Sequence, residues 1–99
     1  MIAEFLESHL NAPFPPGVHE LQGTDFNLER LDADVVSLAE SYVKAGQLTP
    51  EQRSILEGCV ADLRRVVSQL PDVMQDYFTR LHALGVAVLV ELPIRGPAR

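Results

Sequence analysis

The chain has 99 residues, of which 46% are hydrophobic and 22% charged, and its formal net charge is −6. This length and balance indicate one globular domain, residues 1–99, with a modest core rather than a disordered chain. The negative charge argues against binding to the phosphate backbone of nucleic acids. No apolar run approaches the roughly 20 residues that span a bilayer, so no membrane association is expected either.

The first predicted element is a short amphipathic helix over residues 2–10, because four apolar side chains recur there at helical spacing. These are Ile2, Phe5, Leu6 and Leu10. The same stretch has two glutamates and no basic leader, so we expect no secretory signal. Three prolines and a glycine between residues 13 and 17 forbid regular helix. Residues 11–26 are therefore predicted to be a connection, with a brief extended piece at 18–21.

A second helix is predicted over residues 27–45. Asn27 is a favourable N-cap residue, and Phe26 and Leu31 occupy the two positions of a hydrophobic staple. Gly46 follows directly and is the expected C-terminal stop.

The next start is marked by Thr49, Pro50 and Gln52, which fit a capping box with proline at the first helical position. We predict a helix over residues 50–70, a break at Pro71 and a further helix over 72–84. One kinked helix over 50–84 is the alternative, because the apolar spacing continues through Pro71 almost in phase. Such a rod would be ~50 Å long and would need a second chain to cover it.

The three long helices share one pattern, in which apolar residues are spaced alternately three and four apart. The members are Leu28, Leu31, Val35, Leu38 and Tyr42; Leu56, Cys59, Leu63, Val66 and Leu70; and Met74, Tyr77, Leu81, Leu84 and Val88. Each set forms one stripe along its helix, and such stripes are buried when the helices pack together. The connections are short, so the predicted fold class is mainly α, an antiparallel helical bundle.

The run from Val86 to Val90 is apolar, rich in β-branched residues and bounded by Gly85 and Pro93. These features favour a short β-strand over residues 86–92, with Gly85 as the C-cap of the preceding helix. Its partner would be 18–21 or the same strand of another molecule. The alternative is that the last helix continues to residue 92. Residues 94–99 are expected to form a flexible tail.

No catalytic, cofactor-binding or metal-binding constellation is recognisable in the sequence. The three histidines, His9, His19 and His82, are far apart in the chain, and no cysteine pair exists. Cys59 lies within an apolar stripe, where a thiol usually acts as a small buried hydrophobe. His82 is interpreted as a partly exposed residue that caps the end of the last helix. We therefore predict no cofactor, no metal and no enzymatic activity.

One surface is a candidate for protein binding. Val36 and Val43 lie off the main stripe of the second helix and are flanked by Glu29, Asp32 and Glu40. An apolar strip rimmed by acids suits a basic partner. The alternative is that a central helix with two neighbours simply needs a wide apolar face.

The charge distribution supports a binding role. Residues 1–45 contain eight acids against two bases, whereas residues 46–99 contain six of each. We therefore predict a non-enzymatic protein–protein interaction domain, a homodimer, whose acidic half binds a basic or amphipathic partner. An immunity- or antitoxin-type inhibitor of a basic effector, a structural homo-oligomer subunit and, last, a small helical enzyme are the alternatives.

The single cysteine and the seven-to-one excess of arginine over lysine bear on the compartment and the source. One cysteine cannot form an internal disulfide, which favours a reducing compartment. The arginine excess is typical of a GC-rich bacterial genome. A cytoplasmic bacterial protein is the resulting expectation.

Overall fold

The computed structural model describes residues 2–15 and 27–92, and every regular element within these ranges is an α-helix. The elements are α1 (Ile2–Asn11), α2 (Leu28–Ala45), α3 (Pro50–Val67) and α4 (Asp72–Glu91). The mainly α fold class is confirmed. The predicted extended piece at 18–21, the Phe26 side of the staple and the tail at 94–99 lie outside the described residues.

The ends of α2 and the start of α3 are set by local chemistry that the sequence predicted. The Asn27 side chain accepts a hydrogen bond from the backbone N–H of Arg30 at 3.0 Å, which satisfies a donor that the helix leaves unpaired. Gly46 ends α2 in the left-handed conformation, with φ 76°. Thr49 and Gln52 form both hydrogen bonds of a capping box, at 2.9 and 3.0 Å.

The predicted break at Pro71 is confirmed, and the single kinked helix is excluded. Helix α3 ends at Val67, three residues before the predicted end, and α4 begins at Asp72. In the turn between them, the N–H groups of Gln69 and Leu70 bond to carbonyls three residues earlier, at 2.9 and 3.1 Å. Pro71 is extended, with ψ 152°, so the helical path cannot continue through it.

The predicted β-strand at 86–92 is wrong, because α4 continues to Glu91 as in the alternative. The reason is packing: Val88 is fully buried and Leu92 nearly so, and both extend the apolar stripe of the helix. Burial in the bundle outweighs the β propensity of the valines, which is the weaker effect.

Gly85 is consequently an interior helix residue and does not cap α4. A Cβ atom at this position would lie 2.7 Å from a methyl carbon of Val60, so α3 and α4 approach each other too closely for a larger residue. His82 lies in the middle of the helix, and its predicted capping role is wrong as well.

The helices pack so that each predicted stripe faces the centre of the molecule. All fifteen stripe residues are buried except Tyr42, which is partly buried. Tyr77 bonds to Asp32 and Tyr42 bonds to Glu91, so α2 and α4 run in the same direction. Helix α3 is antiparallel to both of them and packs on both. Helix α1 packs on α2 and α4 from the side opposite α3.

Candidate functional site

Three polar side chains from three different helices meet inside the bundle. His9 of α1 is 3% exposed, and its Nε2 lies 2.8 Å from Oδ1 of Asp32 on α2. The hydroxyl of Tyr77 on α4 donates to the same oxygen at 3.0 Å. This cluster, His9–Asp32–Tyr77, ties α1 to the other two helices.

Both polar contacts of the cluster meet at one carboxylate oxygen. Oδ1 of Asp32 accepts the hydrogen bond of the Tyr77 hydroxyl and lies within hydrogen-bond distance of Nε2 of His9. The other ring nitrogen, Nδ1, is buried and has no hydrogen-bond partner among the described residues. Burial, and then the charge and hydrogen bond of Asp32, raise the pKa of Tyr77, which therefore remains a neutral donor.

Aromatic rings enclose the cluster. The rings of His9 and Tyr77 are 4.6 Å apart, and Phe14 and Phe78 stand edge-on to Tyr77 at 5.4 and 5.0 Å. A dissolved substrate cannot reach a histidine that is 3% exposed in such a setting. The arrangement is suited to fixing α1 in place rather than to acid–base chemistry.

Sequence reasoning missed this cluster. His9 and Asp32 are 23 residues apart, and no local spacing connects them. The one available signal was a histidine on the apolar side of α1, between Leu6 and Leu10 in sequence, which implies a buried polar partner.

The five predicted binding residues share one line along α2, because their spacings are three, four, four and three. Glu29, Glu40 and Val43 are exposed, Val43 by 43%, and Val36 is partly buried against the core. Asp32 differs from the rest, because its carboxylate bonds inward to α1 and α4. The surface that remains, Glu29, Val36, Glu40 and Val43, is called the α2 face below.

The C-terminal part of the α2 face, at Val43, lies too far along α2 for α1 to cover it. His9 is level with Asp32, and α1 extends at most to Ile2, about 10 Å along its axis at 1.5 Å per residue. Val43 lies about 16 Å beyond Asp32 along α2 by the same rise. Val90, near the corresponding end of α4, is 78% exposed.

A second surface lies along α3 and α4 and was not predicted. It is a groove of about 760 Å³ whose apolar lining includes Val60, Val86 and Leu89. Arg64 and His82 line the same groove and also a smaller neighbouring one. Sequence reasoning could not find the α3–α4 groove, because it placed residues 86–92 in a strand.

Cys59 is buried, at 7% exposure, as its position in the stripe predicted. Burial raises the pKa of the thiol, and the charges of Asp34 and Asp62 raise it further. The sulfur is therefore held as the unreactive thiol.

Within residues 2–15 and 27–92, no three histidine, cysteine or acidic side chains are grouped closely enough to hold a metal ion. None of the helices in that part of the chain has the length and apolar character needed to cross a membrane. Comparison with protein-family models, with curated proteins and with solved structures finds no match to this chain.

Proposed function

We propose that this chain is a non-enzymatic protein–protein interaction domain that binds a basic, amphipathic partner through the α2 face. The observation that carries the proposal is the exposure of Val43, which is 43% exposed and has Glu40 three residues before it on the same line of the helix. Neither Glu40 nor Val43 is buried in the core, so packing of the fold does not account for an apolar side chain at this exposed position. An apolar side chain beside carboxylates matches a partner helix with apolar residues flanked by lysine or arginine.

Two features of the molecule favour this reading over catalysis. The His9–Asp32–Tyr77 cluster lies among aromatic rings, and its hydrogen bonds are made between the helices of the bundle. The Cys59 sulfur is buried and protonated. His9 and Cys59 are thus inside the bundle, and the accessible surface of α2 provides apolar contacts and charge.

The proposal is tested with a synthetic helical peptide that carries leucines on one face and lysines beside them. The variant Glu40→Lys/Val43→Ser removes the exposed apolar side chain and reverses the neighbouring charge. We expect this variant to bind the peptide at least about tenfold more weakly than the wild type, since about 1.4 kcal/mol corresponds to a tenfold change. Fluorescence anisotropy of the labelled peptide measures the affinity.

The matched control is Glu7→Lys/Leu10→Ser on α1. It has the same two kinds of substitution at the same spacing, and Leu10 is 53% exposed. Both variants have the same net charge, so a general attraction of lysines to an acidic protein affects them equally. Peptide affinity should be unchanged in the control. Equal weakening in the two variants would show that the α2 face is not the binding surface.

Asp32 is left unchanged in these variants because replacing it would break the buried cluster. A substitution there changes the stability of the fold as well as the surface charge. Val36 is also retained, because it packs partly against the core.

A further inference from the structure

The α3–α4 groove has an electrostatic character that distinguishes it from the rest of α3. Two of the three arginines on that helix are paired: Arg53 with Glu57 at 3.2 Å, and Arg65 with Asp62 at 2.9 Å. Arg64 is exposed and forms no ion pair with any residue in the described part of the chain. His82 lines the groove beside it.

The apolar part of the groove follows from the length of α4. Because this helix continues to Glu91, Val86 and Leu89 lie on the side of α4 that faces α3 and stay partly buried. Val60 of α3 completes the lining and is also partly buried. An occupant that removes these side chains from water must be apolar at its centre and acidic at its edge, opposite Arg64.

The α2 face has this chemistry. Val36 and Val43 are two helical turns apart, and Glu40 lies between them on the same line. Glu57 and Arg65 also line the groove, but each is paired on α3, so Arg64 is the lining charge with no ion pair among the described residues. The α2 face is apolar with exposed negative charge. The two surfaces are therefore complementary, although they belong to one molecule.

We propose that the α3–α4 groove of one molecule receives the α2 face of a second copy of this chain. The inference rests on the proposed function, since it names the groove of a second copy, with Arg64 in its lining, as the surface that the α2 face binds. The contact buries Val36 and Val43 against Val60, Val86 and Leu89, and it sets Glu40 near Arg64. It also buries the part of the α2 face that α1 does not reach.

The symmetry of this contact follows from the fold. The α2 face borders α1, and the groove borders α3, on opposite sides of the α2–α4 pair. A contact between two different surfaces is heterologous, and it leaves one free surface at each end of the assembly. The assembly therefore extends beyond two copies as concentration rises, in contrast to the homodimer that the sequence suggested.

Ionic strength affects the contact in two opposing ways. The net charge of −6 per chain makes copies repel one another, and this repulsion acts over long distances. At physiological salt the Debye length is about 8 Å, so the long-range repulsion is screened more strongly than a close contact between Glu40 and Arg64. Association is therefore measured at physiological ionic strength.

The test uses two variants, each of which lacks one surface. Glu40→Lys/Val43→Ser has no α2 face but keeps the groove, and Arg64→Glu/Val86→Ser has no groove but keeps the α2 face. Sedimentation velocity over a concentration series should show the wild type growing beyond a dimer. Each variant alone should associate at least about tenfold more weakly, equivalent to about 1.4 kcal/mol.

Mixing the two variants gives the decisive result. Each retains the surface that the other lacks, so an equimolar mixture should form a one-to-one complex that grows no further. Circular dichroism and thermal unfolding establish that both variants are folded. The control Glu7→Lys/Leu10→Ser should associate like the wild type.

Several results would overturn the inference. These are a wild type that stays monomeric over the whole series, a mixture that forms no complex, or an unchanged association of either variant. If the leucine–lysine peptide still binds the α2 face in that case, the proposed function stands and only the second copy is excluded as partner. If the peptide fails to bind as well, both proposals fail.

Discussion

A single oxygen atom of Asp32 accepts hydrogen bonds from two side chains on two other helices. Its donors are the His9 ring, which is almost fully buried, and the Tyr77 hydroxyl. Donors of this kind lose their bonds to water on folding and depend on the carboxylate for replacement. Asp32 is therefore a structural residue of α2, although the sequence pattern placed it on the rim of a binding surface.

Replacing Asp32 by alanine should lower the free energy of unfolding by about 1.5–3 kcal/mol, because two donors inside the bundle lose a charged acceptor. Urea denaturation followed by circular dichroism measures this difference.

Asp34→Ala is the control. Asp34 lies on the same helix and pairs with Arg30, whose side chain is 77% exposed, at 3.6 Å. Exposed pairs contribute about 0–1 kcal/mol, so this variant should stay close to the wild type. If the two alanine variants have the same stability, the cluster does not anchor α1.

At the scale of the element, the sequence predicted helix starts well and one helix end badly. Asn27 and Thr49 were identifiable because a capping side chain bonds to a backbone N–H group three residues later. Such a contact depends only on residues that are neighbours in the sequence. The continuation of α4 past Gly85 was predicted only as the alternative, because it depends on the burial of Val88 and Leu92 against residues distant in the chain. The His9–Asp32 contact and the α3–α4 groove depend on tertiary packing in the same way.

Gly85→Ala should destabilise the protein, although alanine is the better helix former. The new Cβ atom would lie 2.7 Å from a methyl carbon of Val60, so the Val60 side chain or its helix must shift to admit it. Overpacking of a core costs about 1–3 kcal/mol, which exceeds the gain of roughly 1 kcal/mol in helix propensity. The melting temperature should therefore fall.

Gly58→Ala provides the comparison, because a Cβ atom at Gly58 meets nothing within 4 Å. Here the gain in helix propensity is unopposed, and the melting temperature should rise. The double variant Gly85→Ala/Val60→Ala should recover part of the loss, since it removes the methyl group in conflict. A rise in melting temperature for Gly85→Ala alone would mean that α3 and α4 do not approach closely at this point.

At the scale of the whole molecule, the charge imbalance between the two halves of the sequence becomes a difference between two sides of the bundle. Helices α1 and α2 together carry six acids against two bases, whereas α3 carries three of each. Two pairs within α3 leave Glu51 in its first turn and Arg64 near its end. Fold and charge together therefore produce two unlike surfaces on one small domain, which is the physical basis of both proposals.

The four helices should also differ in local stability. Helix α1 has 10 residues, whereas α4 has 20, and isolated helices shorter than about 12–15 residues are marginal in water. Only Ile2, Leu6 and His9 of α1 are buried, so its detachment exposes less apolar surface than separating α3 from α4. We expect α1 to open without global unfolding.

Hydrogen exchange followed by mass spectrometry measures this opening. Backbone amides of α1 should exchange at least about tenfold faster than those in the middle of α4, equivalent to about 1.4 kcal/mol less protection. The backbone amides around Val35 and Leu38 of α2 should exchange as slowly as those of α4, because these two residues pack in the shared core. Equal protection of α1 and α4 would mean that the bundle opens as one unit and that the His9 contact is as strong as the core itself.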